Sequence, residues 1–447
     1  MSLERVFLDA VCADALGEEN LLIAMARFEG ALAAASARAG IVPAEAAEVI
    51  MRVCASVRWN PAELVADARA AATLAVPFVR KLTQEVAKAS ADAARFVHLG
   101  ATSQDVIDTA LVLCLQPACA RVIALSGELG DAAASLAEKH AATPMLARTL
   151  LQPAIPVPFG WKAATWLSPL ATASLRFAHA AHELRVLQLG GAGGTLSAYG
   201  SRGGALAEAL AEELGLRPAP ISWHGARDRV ARLGAEAAIL TGAAGKIARD
   251  VSLLMQPEIG EVAEAAAGGS SAMPHKRNPA RSLLALEAAQ RAPGLAGTLL
   301  AQLGSEHERG LGQWQSQRSV LRDLLGGSAN ALGAMAEVLA TLQVEPSAML
   351  RNIDSLRGLA FSEAVSLRLA SSMGKTAAHA ATEKLCERVA REGCTLRDAL
   401  KSERLVEDAE LERLFAAEAL FGDAPAMIER TLGAWRAARA TLRGKAP

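Results

Sequence analysis

Residues 268–279 read Gly268-Gly269-Ser270-Ser271-Ala272-Met273-Pro274-His275-Lys276-Arg277-Asn278-Pro279. The two leading glycines supply a backbone that bends freely. Asn278 before Pro279 reads as an N-cap with proline at the first helical position, opening a helix over 280–291. The free amides and positive dipole end of that helix are expected beside Lys276, a ready site for a carboxylate or a developing oxyanion. Ser270 or Ser271, on the loop above, could move a proton to or from carbon. A Gly/Ser linker and an ordinary capped helix account for Gly268–Ser271 and Asn278–Pro279. They leave Met273, Pro274 and Lys276 without a reason.

Outward from this loop the pattern is helical. Leu21, Leu22, Met25, Phe28 and Leu32 share one helix face. Long helices are expected near 104–139, 156–188, 202–215, 226–266, 279–303 and 317–341. Glycines at 190–194 and 268–269, and prolines at 153–158 and 218–220, punctuate them. Hydrophobic residues make up 52% of the 447 residues and aromatics only 4%. Much of the apolar share is alanine and leucine, which favours closely packed helices. No alternating strand pattern of useful length appears. The expected fold is all-α in three helical domains: 1–110, a central long-helix bundle over 111–345, and 346–447.

Charge excludes some partners. Lys+Arg number 46 and Asp+Glu 47, for a net charge of -1, so no nucleic-acid or membrane-surface field is expected. An anionic substrate requires cations gathered locally. The start, Met1-Ser2-Leu3-Glu4-Arg5, followed by Asp9 and Asp14, lacks a signal-peptide pattern. No apolar run reaches about eighteen residues, so no membrane span is expected. None of the six cysteines forms a C-x-x-C pair, and reduced, mostly buried thiols in the cytoplasm are expected.

The 269–278 string resembles the G-S-S-x-M-P-x-K-x-N signature of the fumarase/aspartase superfamily, whose enzymes add or eliminate groups next to a carboxylate. Two further strings extend the resemblance. His98-Leu99-Gly100-Ala101-Thr102-Ser103-Gln104-Asp105 is similar to the superfamily's first block, in which hydroxyls hold a substrate carboxylate. That implies the same role for Thr102 and Ser103, with His98 as a binding or proton-transfer candidate. Read without the resemblance, Thr102 or Ser103 simply caps a helix. Arg148-Thr149-Leu150-Leu151-Gln152-Pro153-Ala154 resembles the second block, R-T-H-x-Q-x-A, and otherwise reads as a helix-to-helix connection stopped by its prolines.

Two departures sharpen the expectation. Leu150 stands where fumarases and adenylosuccinate lyases carry a catalytic histidine. Leu283, thirteen residues after Ser270, stands where they carry the glutamate that pairs with it. A lyase needs a second acid or base for its leaving group or its water. Lactonisation does not, because a substrate carboxylate is ionised above pH ~4 and adds to its own double bond. Ser305–Trp314, with its E-H-E-R-G-L-G, and Trp223–Arg229 resemble the carboxymuconate cycloisomerases of the superfamily. The implied reaction interconverts 3-carboxy-cis,cis-muconate and 4-carboxymuconolactone without cofactor or metal.

The catalytic candidates are Ser270, Lys276 and His98. The substrate-binding candidates are Thr102, Ser103, Gln152, Ser271, Met273, Asn278 and Arg309. Arg148, Arg277 and Arg318 are further cations for a small-molecule tricarboxylate. The resemblance also implies a homotetramer whose active sites combine the three blocks from different subunits. An adenylosuccinate-type lyase and a catalytically silent helical scaffold are the alternatives. Leu189–Thr195 lacks the G-x-G-x-x-G of a nucleotide loop and reads as a helix break where chains approach closely.

Overall fold

The computed structural model describes residues 6–444 except 267, 270 and 271; the expectations placed on Ser270 and Ser271 lie outside the described residues. Its helices of twelve residues or more are α1 (Glu18–Arg38), α2 (Ala44–Ser56), α3 (Ala75–Ala89), α4 (Ser103–Lys139), α5 (Phe159–Glu183), α6 (Gly203–Leu214), α7 (Asp228–Leu254), α8 (Ala280–Leu300), α9 (Gln317–Ala340), α10 (Ser362–Met373), α11 (Lys375–Glu392) and α12 (Ala424–Gly444). The architecture is all-α, as the alanine- and leucine-rich composition leads one to expect.

Helices α4, α5, α7, α8 and α9 pack on one another as the central bundle. Its core is continuous with that of the N-terminal helices, joining Phe28 and Phe78 to Leu167, Leu240 and Leu325. Helix α4 is long and apolar enough to cross a membrane, yet 72% of its most apolar stretch is buried inside the protein. Helices α10 and α11, with the short Leu396–Ser402 helix, keep a smaller core of their own around Val365, Leu369, Leu385 and Leu400. The last helix, α12, returns to the bundle and lies along α5 and α4. Its Trp435 ring fills the space over Gly130, where an added Cβ would fall 2.1 Å from the indole.

The connection between α4 and α5 departs from expectation. Its prolines do not abolish regular structure: β1 (Pro144–Thr149) and β2 (Gln152–Pro158) form an antiparallel hairpin with Met145 opposite Val157 and Thr149 opposite Gln152. A two-stranded ribbon has two outer edges, so proline can sit where no amide donor is needed. Leu150 and Leu151 form the turn with φ of 50° and 64°. The two-residue hairpin turn with both φ positive matches the strands' twist, though asparagine and glycine suit it better than leucine. The hairpin packs on the Pro346–Ser355 helix and on short helical turns at 359–361 and 417–420.

Candidate active site

The first block is organised by a buried carboxylate. Thr102 occupies the extended N-cap of α4, and its backbone N–H donates to Asp105 Oδ2 at 2.9 Å. Asp105 also accepts the amides of Gly190 and Gly191, each at 2.9 Å, and His224 Nε2 at 2.7 Å. One side chain thus fixes the start of α4 and the 190–194 glycine loop together. Gly191, at φ +72°, lies so close to Gly100 that an added Cβ would stand 2.9 Å from its carbonyl oxygen. This is the close approach expected of the glycine run. The hydroxyl of Ser103 makes no hydrogen bond among the described residues and lies in the first turn of α4.

Behind this layer lies a second one. Arg227, 2% exposed, donates to both Asp108 oxygens at 2.7 and 3.0 Å. It also bonds Gln317 Oε1 and stacks on Trp223 with its guanidinium carbon 4.9 Å from the ring centroid. Gln104 Nε2 ties Asp108 to the His224 carbonyl, each at 3.0 Å. Trp223, His224 and Arg227, from the stretch singled out in the sequence for its resemblance, are therefore the buried frame of the first block. Arg309 reaches the same place, donating to the carbonyls of Gly191 and Ala192 at 3.3 Å. A cavity of about 400 Å³ opens nearby, lined by Ile107, Leu111, Arg69, Trp314 and Arg318.

His98 adjoins the block in the left-handed region, φ +57°. Its Nδ1 lies 2.6 Å from Glu29 Oε1, and Glu29 is 1% exposed. Burial lowers the pKa of His98, but the Glu29 charge, its hydrogen bond and the Asp105 charge outweigh that and leave it raised above 6.5.

The signature loop requires a correction. Asn278 does not cap α8. It pairs with Gly268 through two backbone bonds of 2.8 and 2.9 Å and donates from Nδ2 to the Gly269 carbonyl at 3.2 Å. Pro279 takes the N-cap position with φ −74° and ψ 67°. The capping group is Glu264, which accepts from the amides of Arg281 and Ser282 at 3.1 and 2.9 Å and from Ser282 Oγ at 2.7 Å. The helix start expected to receive a substrate carboxylate already holds a buried carboxylate of the protein. Met273, Lys276 and Arg277 are exposed on the loop.

The second block stands apart. Leu150 is 96% exposed at the hairpin tip, and Gln152 is exposed beside it. Arg148 is not free for substrate: it makes bonds of 2.9 and 2.7 Å to the two oxygens of Glu261, which is fully buried. Arg318 donates to the Leu16 carbonyl at 2.9 Å. Leu283 is 54% exposed on α8.

Within one chain the structure brings together His98, Thr102, Ser103 and Arg309. It leaves Gln152 on the hairpin and Lys276 on the signature loop as separate exposed groups. Sequence reasoning missed Asp105, Glu29, Glu264 and His224 as organising residues. Asp105 had a signal, the T-x-x-D spacing of a capping box. Glu29 had a fainter one, a lone carboxylate within the apolar register of Met25, Phe28 and Leu32.

Comparisons with known proteins place the chain in a family. The family described as "Lyase" matches residues 13–294, and the one described as "Adenylosuccinate lyase C-terminus" matches 358–431. The 3-carboxy-cis,cis-muconate cycloisomerase of Bradyrhizobium diazoefficiens is 42% identical over 95% of this chain and 94% of its own. That of Pseudomonas aeruginosa is 42% identical over 96% and 95%. The crystal structure of the 3-carboxy-cis,cis-muconate lactonizing enzyme from Pseudomonas putida superposes with a TM-score of 0.93, at 38% identity, covering 98% of this chain and 99% of that one. By sequence along most of its length and by fold, the chain belongs to the lyase family of the fumarase/aspartase superfamily.

Proposed function

We propose that the chain interconverts 3-carboxy-cis,cis-muconate and 4-carboxymuconolactone. The observation that carries this reading is the near-full-length similarity to enzymes of that name. The leucines at 150 and 283 supply the chemical reason. Both are exposed and apolar, so the histidine–glutamate pair that a lyase would use is absent from those positions.

In the forward direction a carboxylate oxygen of the substrate forms a C–O bond to its own alkene. The π electrons move to the carbon next to another carboxylate, giving an enediolate-like anion, and a proton then closes that carbon. Ring closure is intramolecular, so orientation supplies much of the acceleration. Thr102 and Ser103 at the start of α4, with Arg309 beside the glycine loop, are suited to hold one carboxylate. Lys276 is the candidate cation for the enediolate, and Ser270 the candidate hydroxyl that hands a proton to carbon. The exposed positions of Gln152 on the hairpin and Lys276 on the signature loop fit an active site completed by association, and we propose a cytoplasmic homotetramer in which the hairpin and signature loop serve neighbouring copies.

The test is ultraviolet absorbance of 3-carboxy-cis,cis-muconate mixed with the purified protein, beside a parallel adenylosuccinate assay. Loss of the diene chromophore with lactone as product is expected. A flat muconate trace with adenylosuccinate cleaved would overturn the proposal in favour of a lyase. Equilibrium sedimentation tests the tetramer; a monomer that turns over substrate at the full rate refutes the shared site.

A further inference from the structure

The first block contains two carboxylate–imidazole pairs, and they differ in one respect. In Asp105–His224 both ring nitrogens are engaged, Nε2 by Asp105 at 2.7 Å and Nδ1 by Ser222 Oγ at 3.0 Å, and the histidine is 2% exposed. That pair is closed and holds the loops. In Glu29–His98 only Nδ1 is engaged, at 2.6 Å, while the imidazole keeps 15% of its surface open. Its Nε2 makes no hydrogen bond among the described residues.

We propose that Glu29 is a positioning residue for the reaction: it orients His98 and keeps its outward Nε2 supplied with the proton that lactonisation consumes. The inference rests on the cycloisomerase reading above.

Three observations support it. Glu29 is nine-tenths or more buried on the apolar face of α1, and its Oε2 has no partner among the described residues. An unpaired buried carboxylate oxygen costs about 1–3 kcal/mol, a cost that a purely structural position seldom retains. His98 holds its ring in place from the left-handed region at φ +57°, a backbone state that costs a residue with a Cβ about 1 kcal/mol or more. The groups facing the pair act on the imidazole in one direction. Asp105 on α4 and Glu29 on α1 both favour its protonated form. Burial pushes up the Tyr199 hydroxyl, which donates to the Leu99 carbonyl, and the Cys54 thiol on α2, so both stay neutral.

The proton balance is simple. The N–H bond at Nε2 breaks, and its proton passes through a serine hydroxyl of the site to the enediolate carbon, where the C–H bond forms. The neutral imidazole keeps its Nδ1–H on Glu29, and solvent water returns the lost proton. The reverse reaction runs the same route backwards.

Glu29→Gln keeps the shape and removes the charge. In the assembled enzyme, the His98 midpoint followed by NMR of labelled histidine, assigned by its loss in His98→Gln, should fall by about one unit or more. Turnover should fall by about tenfold to a hundredfold with KM changed less than about threefold. The high-pH decline of kcat should begin lower by the same interval as the NMR midpoint. Glu29→Asp should restore part of both. An unmoved His98 midpoint in Glu29→Gln, or a lost turnover with an unmoved pH profile, overturns the proposal. If Glu29→Gln does not fold, His98→Gln decides on its own: a high-pH limb that persists overturns the proposal. Wild-type enzyme silent toward the muconate overturns the cycloisomerase reading itself, whereas an active wild type with an indifferent Glu29→Gln overturns only this inference.

Discussion

Arg227→Met removes two guanidinium bonds, of 2.7 and 3.0 Å, from an ion pair whose side chains are each 1% exposed. Asp108 is left with Gln104 Nε2 at 3.0 Å. Breaking one side of a buried pair costs about 3–5 kcal/mol. An unfolding entropy of about 2.1 cal/mol/K per residue, over 447 residues, amounts to about 0.9 kcal/mol/K. The melting midpoint should therefore fall by about 3–5 °C. Asp108→Leu, which strands the guanidinium instead, should cost a similar amount. The double variant removes both charges and should melt no lower than either single one. Calorimetric melts at one fixed protein concentration provide the assay, since association shifts the midpoint by mass action. If the double variant's loss equals the sum of the single losses within about 0.5 kcal/mol, the two residues are uncoupled and the buried-pair reasoning fails.

Glu264→Ala strips the cap from α8 and should cost about 1–2 kcal/mol, a midpoint fall of roughly 1–2 °C on the same scale; an unchanged melt would show that the amides of Arg281 and Ser282 find other acceptors. Leu150→Asn with Leu151→Gly relieves two leucines held at positive φ with little burial to lose. It should raise the monomer's stability by about 1–2 kcal/mol, read as resistance to denaturant, and a loss instead would mean that the tip is packed. His98 has a raised folded pKa, so its contribution to stability is full below 6.5 and disappears as pH rises through the higher folded value. Across that window wild-type melting should decline more than that of Glu29→Gln, and parallel curves would contradict the assigned cause.

The long helices were legible because each carries a long apolar register, one that runs on past Pro117 in α4, Pro169 in α5 and Pro293 in α8. The bounds expected for α4, α8 and α9 lie within three residues of those observed. The hairpin was not legible, because Pro153, Pro156 and Pro158 read as breakers until a partner strand with an idle edge is known. At the site, the cap at Thr102 could be located by motif, since its partner Asp105 lies three residues on; Arg309 stood out by motif as well, but its partners, Gly191 and Ala192, lie 118 and 117 residues away. Glu29 and Glu264 could not be located by motif. The first acts across 69 residues and the second across 17–18, and no local pattern encodes which carboxylate will reach a distant amide or ring. Asn278 misled for a related reason: its sequence suits a cap, but the backbone pairing with Gly268 claims it first.

Trp435 donates from its indole to Asp131 across 304 residues of chain. At about 5–20 residues per second, a ribosome takes about 15–60 s to cover that distance. Through that interval the surface of α4 at Gly127 and Gly130, shaped to receive Arg439 and Trp435, faces solvent with nothing on it. Order of synthesis thus runs against order of closure: α4 is made early, and the helix that covers it is made late. Until α12 leaves the tunnel the bundle of a nascent chain stays open there, and the seam beside Gly130 is where holding factors or premature partners would meet it.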